Sequence, residues 1–250
     1  MARENRNFWT NTWIVRLAIL GVVLLLVRFI YIVVAIILLG LIGHNQAYWL
    51  PFATAELHSS NRFVRQIAAQ ALGTIGPKAA PSVPDLLARL RNDSPNVAAD
   101  SACALGEIMA RRANSGVAPE PGVIVALTHA LSNSDGEVRR YAAYAISLIG
   151  PAASAATPKL IQLLNDPYMS YTAARALGEM GPAAQTSVQP LTALLTDPVW
   201  AVRVEAILAL SHFAPLPDAT ISAIRKCRTD GDERVRDAAK KVLAELGADP

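Results

Sequence analysis

Residues 166–182 read Asp-Pro-Tyr-Met-Ser-Tyr-Thr-Ala-Ala-Arg-Ala-Leu-Gly-Glu-Met-Gly-Pro, and each part of that stretch has a local task. Asp166 and Pro167 open a helix, because an aspartate satisfies orphan N–H groups at a helix start and proline suits the first turn. Gly181 and Pro182 close it, the glycine supplying a left-handed residue and the proline a stop. A second apolar stretch follows, Val188-Gln189-Pro190-Leu191-Thr192-Ala193-Leu194-Leu195, and reads as a second helix. The unit is therefore two helices joined by a tight turn.

Working outward, the same unit returns. A Val or Met followed seven residues later by Ala-Leu or an equivalent pair marks Val64 with Leu72, Val97 with Leu105, Val138 with Ile146, Met169 with Leu177, Val202 with Leu210 and Val235 with Leu243. Successive anchors lie 33, 41, 31, 33 and 33 residues apart, a period that specifies a solenoid. Gly76-Pro77 and Gly150-Pro151 repeat the closure. Small pairs such as Ala68-Ala69, Ala142-Ala143 and Ala173-Ala174 let first helices of neighbouring units approach closely. One unit cannot bury its apolar face alone, whereas six in a row make a continuous core.

Two ends and one interruption frame the array. Pro51 to His58 matches a second helix without its first and caps the start. Arg234 to Gly247 is a first helix with a charged outer face, Asp237, Lys240, Lys241 and Glu245, and caps the end. The second unit lacks Gly-Pro and inserts Ala110 to Pro121, read here as a long loop carrying Arg111 and Arg112. Such a loop is equally suited to function and to neutral insertion.

The Val-Arg, Ala-Ala, Ala-Leu-Gly-Glu-Ile/Met-Gly-Pro pattern resembles short HEAT repeats of the phycobilisome-lyase-like class, over roughly residues 61–250. The tetratricopeptide and ankyrin signatures are absent. The resemblance implies an all-α fold: a right-handed, armadillo-type α-solenoid of about six two-helix repeats. It also implies relatives that attach or remove bilin chromophores.

Composition agrees with the all-α reading, at 52% apolar but only 6% aromatic residues. The net charge of +3 comes from Arg3, Arg6, Arg16 and Arg28 against Glu4; the rest of the chain carries nineteen charges of each sign. A net-charge case for nucleic-acid binding by the repeats therefore fails.

Ahead of the repeats, residues 14–43 contain only Arg16 and Arg28 as charges. A helix of that length reaches about 45 Å, enough to cross a hydrocarbon core of about 30 Å with tilt. Trp9 and Trp13 on one side, and Tyr48 and Trp49 on the other, suit the two headgroup regions. The chain thus divides into a basic flank at 1–13, a transmembrane anchor at 14–43, a linker with half-repeat cap at 44–60 and the repeat domain at 61–250. Arg28 snorkels, or lies at the interface of a span shifted to Phe29–Trp49, or pairs with another membrane protein. The apolar run is too long for a signal peptide, and its flanking arginines place the N-terminus in the cytoplasm and the repeats on the other side.

No catalytic constellation is present. His44, His58, His129 and His212 are scattered, and Cys103 and Cys227 fit packing better than a metal or disulfide. No cofactor is expected, nor a metal. Glu107 and Glu179 recur after Ala-Leu-Gly, and Arg65, Arg139, Arg203 and Arg236 recur after Val; recurrence by unit assigns them to structure. Second helices usually line the concave surface of such solenoids, so their polar positions are the candidate partner-binding residues: Asp85, Arg89, Thr128, His129, Lys159, Gln162, Gln189, Thr192, Arg225 and Lys226.

The leading expectation is a membrane-anchored scaffold or adaptor that binds a protein partner. The alternatives are a bilin lyase-like enzyme or chaperone, and a protein whose Arg28 docks into a membrane complex while the repeats recruit a second component.

Overall fold

The computed structural model describes residues 46–248, and every regular element among them is helical. Helix α1 spans Gln46–Glu56. Five helix pairs follow: α2 (Arg62–Ile75) with α3 (Val83–Asn92), α4 (Pro95–Ala113) with α5 (Pro121–Ala130), α6 (Gly136–Ile149) with α7 (Thr157–Leu163), α8 (Ser170–Met180) with α9 (Val188–Ala193), and α10 (Trp200–Ser211) with α11 (Asp218–Lys226). Helix α12 (Glu233–Glu245) ends the array as a first helix without a partner among the described residues. Residues from Leu50 onward form one compact unit.

The 14–43 anchor and the 1–13 flank lie outside the described residues. Among the described residues no helix is long and apolar enough to cross a membrane.

The second residue of each anchor pair carries the core. Leu72, Leu105, Ile146, Leu177, Leu210 and Leu243 have no accessible surface, each removing about 1.5–3 kcal/mol of apolar side chain from water. Leu57 just after α1 and Leu131 just after α5 are equally buried.

Three local expectations need correction. Gly76, Gly150 and Gly181 do take positive φ (70°, 67° and 53°), but their ψ values of −133° to −137° lie outside the left-handed helical region. The chain enters short 3₁₀ segments, Gly76–Ser82, Gly150–Ala156 and Gly181–Ser187, before the second helix starts. Asp166 and Asp197 do not cap helices directly. Their carboxylates accept from the N–H groups of Tyr168 (2.9 Å) and Val199 (2.8 Å), making turns that lead into α8 and α10. Direct caps come instead from Asn61, Asp135 and Asp232.

The third correction concerns the insertion. Helix α4 runs through Ala110, Arg111, Arg112 and Ala113, all good helix formers with no Gly or Pro to stop them. Only Asn114 to Glu120 is irregular.

First helices of successive units make the most extensive contacts in the fold, and second helices far fewer. The closeness is forced by two glycines. A Cβ placed on Gly106 would lie 2.6 Å from the Cα of Ala145, and one on Gly178 would lie 2.8 Å from the Cα of Ala209. First helices therefore form the more closely packed layer of the stack.

Candidate functional site

The recurring arginines are structural clamps. Arg65 donates to the carbonyls of Ser59 and Ser60 in its own entry loop and grips Asp93 at the start of the next unit. Arg203 does the same with Asp197, Pro198 and Asp230. Arg139 holds the carbonyls of Asn133 and Ser134 but stands 3.9 Å from Asp166. Arg236 holds Asp230 and Gly231 carbonyls. Glu107 accepts from the Cys103 thiol at 3.8 Å and stands 4.0 Å from Arg111. Burial, with Glu107 and Asp100 nearby, pushes that thiol up to about 12.

The second-helix candidates are scattered among local partners. Asp85 faces His58 at 3.2 Å, Arg89 joins Asp93 at 3.2 Å, and Arg225 donates to the Ala248 carbonyl. Thr128 turns back onto the Ile124 carbonyl, and Lys159 meets Gln162 within its own helix. Thr192 and Lys226 are brought together, in a cleft of about 530 Å³ beside the Arg203–Asp230 clamp. His129 and Gln189 are both exposed. Arg112 is half-buried against Glu120 at 3.1 Å, and Arg111 reaches across to the Thr74 carbonyl at 2.9 Å. The two loop candidates therefore brace the scaffold.

Two clefts on the first-helix layer involve residues the sequence reading missed. Between α6 and α8, Arg140, Tyr141, Tyr144, Tyr171 and Arg175 surround a space of about 270 Å³. Tyr144 is 37% and Tyr171 43% exposed. Arg140 is paired with Glu137 and lies 4.7 Å from the centroid of the Tyr141 ring. Arg175 is exposed and forms no ion pair among the described residues.

A second cleft, about 360 Å³, begins on the other side of Arg175 and is lined by Glu179, Glu205, His212, Lys241 and Glu245. Lys241 stands 3.9 Å from Glu245. Glu205 is only 9% exposed. Burial pushes its carboxyl up, against the opposing hydrogen bond from the Tyr171 hydroxyl and the charge of Arg175. The only sequence signal for this groove was that its residues vary between units on helices whose other positions repeat.

Comparison with known proteins identifies the repeat. The family model for HEAT repeats matches residues 50–145 and 157–244. The chain belongs to the HEAT-repeat family. Within it, residues 138–166 also match the PBS lyase HEAT-like repeat, a stretch that includes Tyr141 and Tyr144. No curated protein matches the sequence.

Solved structures agree on the HEAT or armadillo-like solenoid. An engineered protein is similar at 23% identity and a TM-score of 0.63, with 80% of this chain and 96% of that one covered. The complex of CpcE and CpcF of phycocyanin lyase from Nostoc sp. PCC7120 is similar at 23% identity and 0.58, covering 79% and 77%. Computationally designed armadillo repeat proteins for modular peptide recognition are similar at 20% and 0.59, covering 78% and 98%. At these identities the likeness establishes the fold alone.

What remains is the chemistry of the HEAT groove. Among the described residues no group of three His, Cys, Asp or Glu side chains is placed to share a metal ion. The groove offers guanidinium, phenol and carboxylate groups along an open surface, which is the equipment of recognition.

Proposed function

We propose that this protein is a membrane-tethered scaffold that holds a protein partner along the first-helix face of its HEAT stack. The observation that carries the reading is the pair of adjoining clefts on either side of Arg175, where exposed tyrosines and charged side chains interrupt an otherwise repetitive helix layer. Tyrosine and arginine are the residues that most often anchor interfaces. The apolar segment at 14–43 would supply the tether, with the N-terminus cytoplasmic and the repeats across the membrane.

Site-specific photocrosslinking in cells tests the groove. A photoreactive amino acid in place of Tyr144 is expected to capture a discrete partner band. The same residue in place of Val125, which is 65% exposed on second helix α5, is expected to capture none. Equal adducts from both positions, or none from Tyr144, would sink the reading. Orientation is tested separately with Ser115→Cys in the exposed loop of a variant lacking Cys103 and Cys227: an impermeant thiol reagent should label it in intact cells.

The bilin-handling alternative draws on the lyase-like repeat around Tyr141 and Tyr144. A bilin whose absorption shifts on mixing with the full-length protein, and no longer shifts with Tyr144→Ala, would favour it over the scaffold.

A further inference from the structure

We infer that the N-terminal end of the HEAT stack docks on a phospholipid surface, with Phe52, Phe63 and Ile67 at the headgroup boundary and Arg62 on the lipid phosphates. This rests on the tether proposed above and adds the face of the repeats that meets the membrane.

The two ends of the stack differ. A terminal unit has no neighbour to cover it and ordinarily shows a polar outer face. Helix α12 does so with Asp237, Lys240, Lys241 and Glu245, all exposed. The opposite end instead shows Phe63 at 50% and Phe52 at 37% exposure, both flanking the turn that joins α1 to α2.

Register explains why α2 turns apolar groups outward. The third residue after an anchor faces the first helix of the unit before: Asp100 accepts from the Gln70 amide at 3.1 Å, and Glu205 from the Tyr171 hydroxyl. In α2 that residue is Ile67, half-buried, and no first helix precedes α2 among the described residues. Phe63 stands four residues earlier, on the same helix face.

Charge at this end is one-sided. Between Gln46 and Pro84 the acidic residue is Glu56 alone, and it is buried. Arg62 and Lys78 are exposed, while Arg65 is engaged by Asp93. The Arg62 guanidinium lies 4.8 Å from the centroid of the Phe63 ring, so a cation and an apolar plate are presented together. That pairing suits the boundary between acyl chains and phosphates.

Chain connectivity selects lipid over a protein partner. The apolar run ends at Gly43, nine residues before Phe52, and nine residues reach at most about 32 Å. A bilayer holding that run is always within that reach, and a protein partner would have to displace it.

Full-length protein lacking Cys103 and Cys227, with one fluorophore-labelled cysteine, is reconstituted into phosphatidylglycerol–phosphatidylethanolamine vesicles carrying nitroxide-labelled lipid in both leaflets. A label at Arg62→Cys is expected to be strongly quenched, and one at Val125→Cys on α5 to be unquenched. Adding Phe52→Gln and Phe63→Gln should remove most of the quenching while the helical circular dichroism is retained. Quenching that these substitutions leave unchanged would assign it to the tether alone and overturn the docking. A label at position 62 open to aqueous iodide would overturn it by showing an uncovered end; one shielded from iodide yet unquenched by lipid would do so by showing a cover of protein. In each case protein that resists alkaline washing from the vesicles leaves the tether standing, whereas protein washed off would overturn tether and docking together.

Discussion

Arg65 holds Asp93 through two parallel hydrogen bonds of 2.7 Å, Nε to Oδ2 and Nη2 to Oδ1, and Arg203 holds Asp230 in the same way four units further along. Each arginine also closes its own entry loop. One side chain therefore fixes the angle at which a unit begins and the position of the unit after it. The clamp is missing where the arginine position is Ala98 and the loop position is Asn133, and again where it is Ser170. Those joints rely on apolar packing and on turn hydrogen bonds from Asn133 and Asp197.

Removing Arg65 should therefore cost more than removing a surface charge. The Asp93 carboxylate is 3% exposed, and Arg65→Ala leaves it with Arg89 at 3.2 Å as its remaining cation. Uncompensated buried charge is expensive, so the expected loss is about 2–3 kcal/mol. Arg236→Ala removes hydrogen bonds to loop carbonyls only and should cost about 1 kcal/mol. Denaturant titration of both variants beside wild type checks the ranking; equal losses would mean the inter-unit grip contributes nothing.

Acid should release the same clamp. Burial alone would raise the Asp93 carboxyl, but Arg65, the Ser94 N–H and Arg89 hold it down at about 2 against its ordinary 3.8. A depressed folded-state value stabilises the fold above about pH 4, and that contribution is lost as pH falls toward 2. At about 1.4 kcal/mol per unit, the clamp contributes about 2 kcal/mol. The stability difference between wild type and Asp93→Asn should shrink by about that much between pH 5 and pH 2. A difference that stays constant with pH would contradict it.

What recurs in this sequence is what the sequence reveals. The period, the helix pairs, the buried Leu72-to-Leu243 series and the structural part of Arg65 and Arg203 all repeat, and repetition separates them from noise. The groove does not repeat. Tyr144, Arg175 and Leu208 occupy equivalent places in three units, so nothing periodic marks the tyrosine or the arginine. Helix spacing was hidden for another reason: Gly106 and Ala145 set it together from different units. Arg111 and Arg112 read as loop because the unit's Gly-Pro stop was absent, yet without a stop a helix continues.

That spacing can be tested at one atom. Ala forms helix better than Gly by about 1 kcal/mol, so propensity alone predicts that Gly106→Ala stabilises. Its Cβ would stand 2.6 Å from the Ala145 Cα and 2.7 Å from the Ala145 Cβ, and backbone must move apart to admit it. Overpacking of this kind costs about 1–3 kcal/mol, enough to reverse the sign. Gly122→Ala, with nothing within 4 Å of the new methyl, should instead gain about 0.5 kcal/mol. Melting temperatures that rise for both would show that the α4–α6 contact is looser than described.

Glu205 gives a prediction of the opposite pH sign to Asp93. Its carboxyl is buried between α8 and α10, and burial raises its folded-state value despite the Tyr171 hydroxyl and Arg175. A carboxyl raised on folding favours the fold while protonated. That advantage is complete below its unfolded value and disappears as pH rises through its folded value. Near neutral pH the charged form is held at a cost, so Glu205→Gln, which keeps an acceptor for Tyr171 and removes the charge, should be at least as stable as wild type at pH 7. Below pH 4, where both side chains are neutral, the two proteins should converge. Measured denaturant midpoints in which Glu205→Gln is clearly weaker at pH 7 would mean that the carboxylate is stabilised by its neighbours, and that the second cleft is less negative than its composition implies.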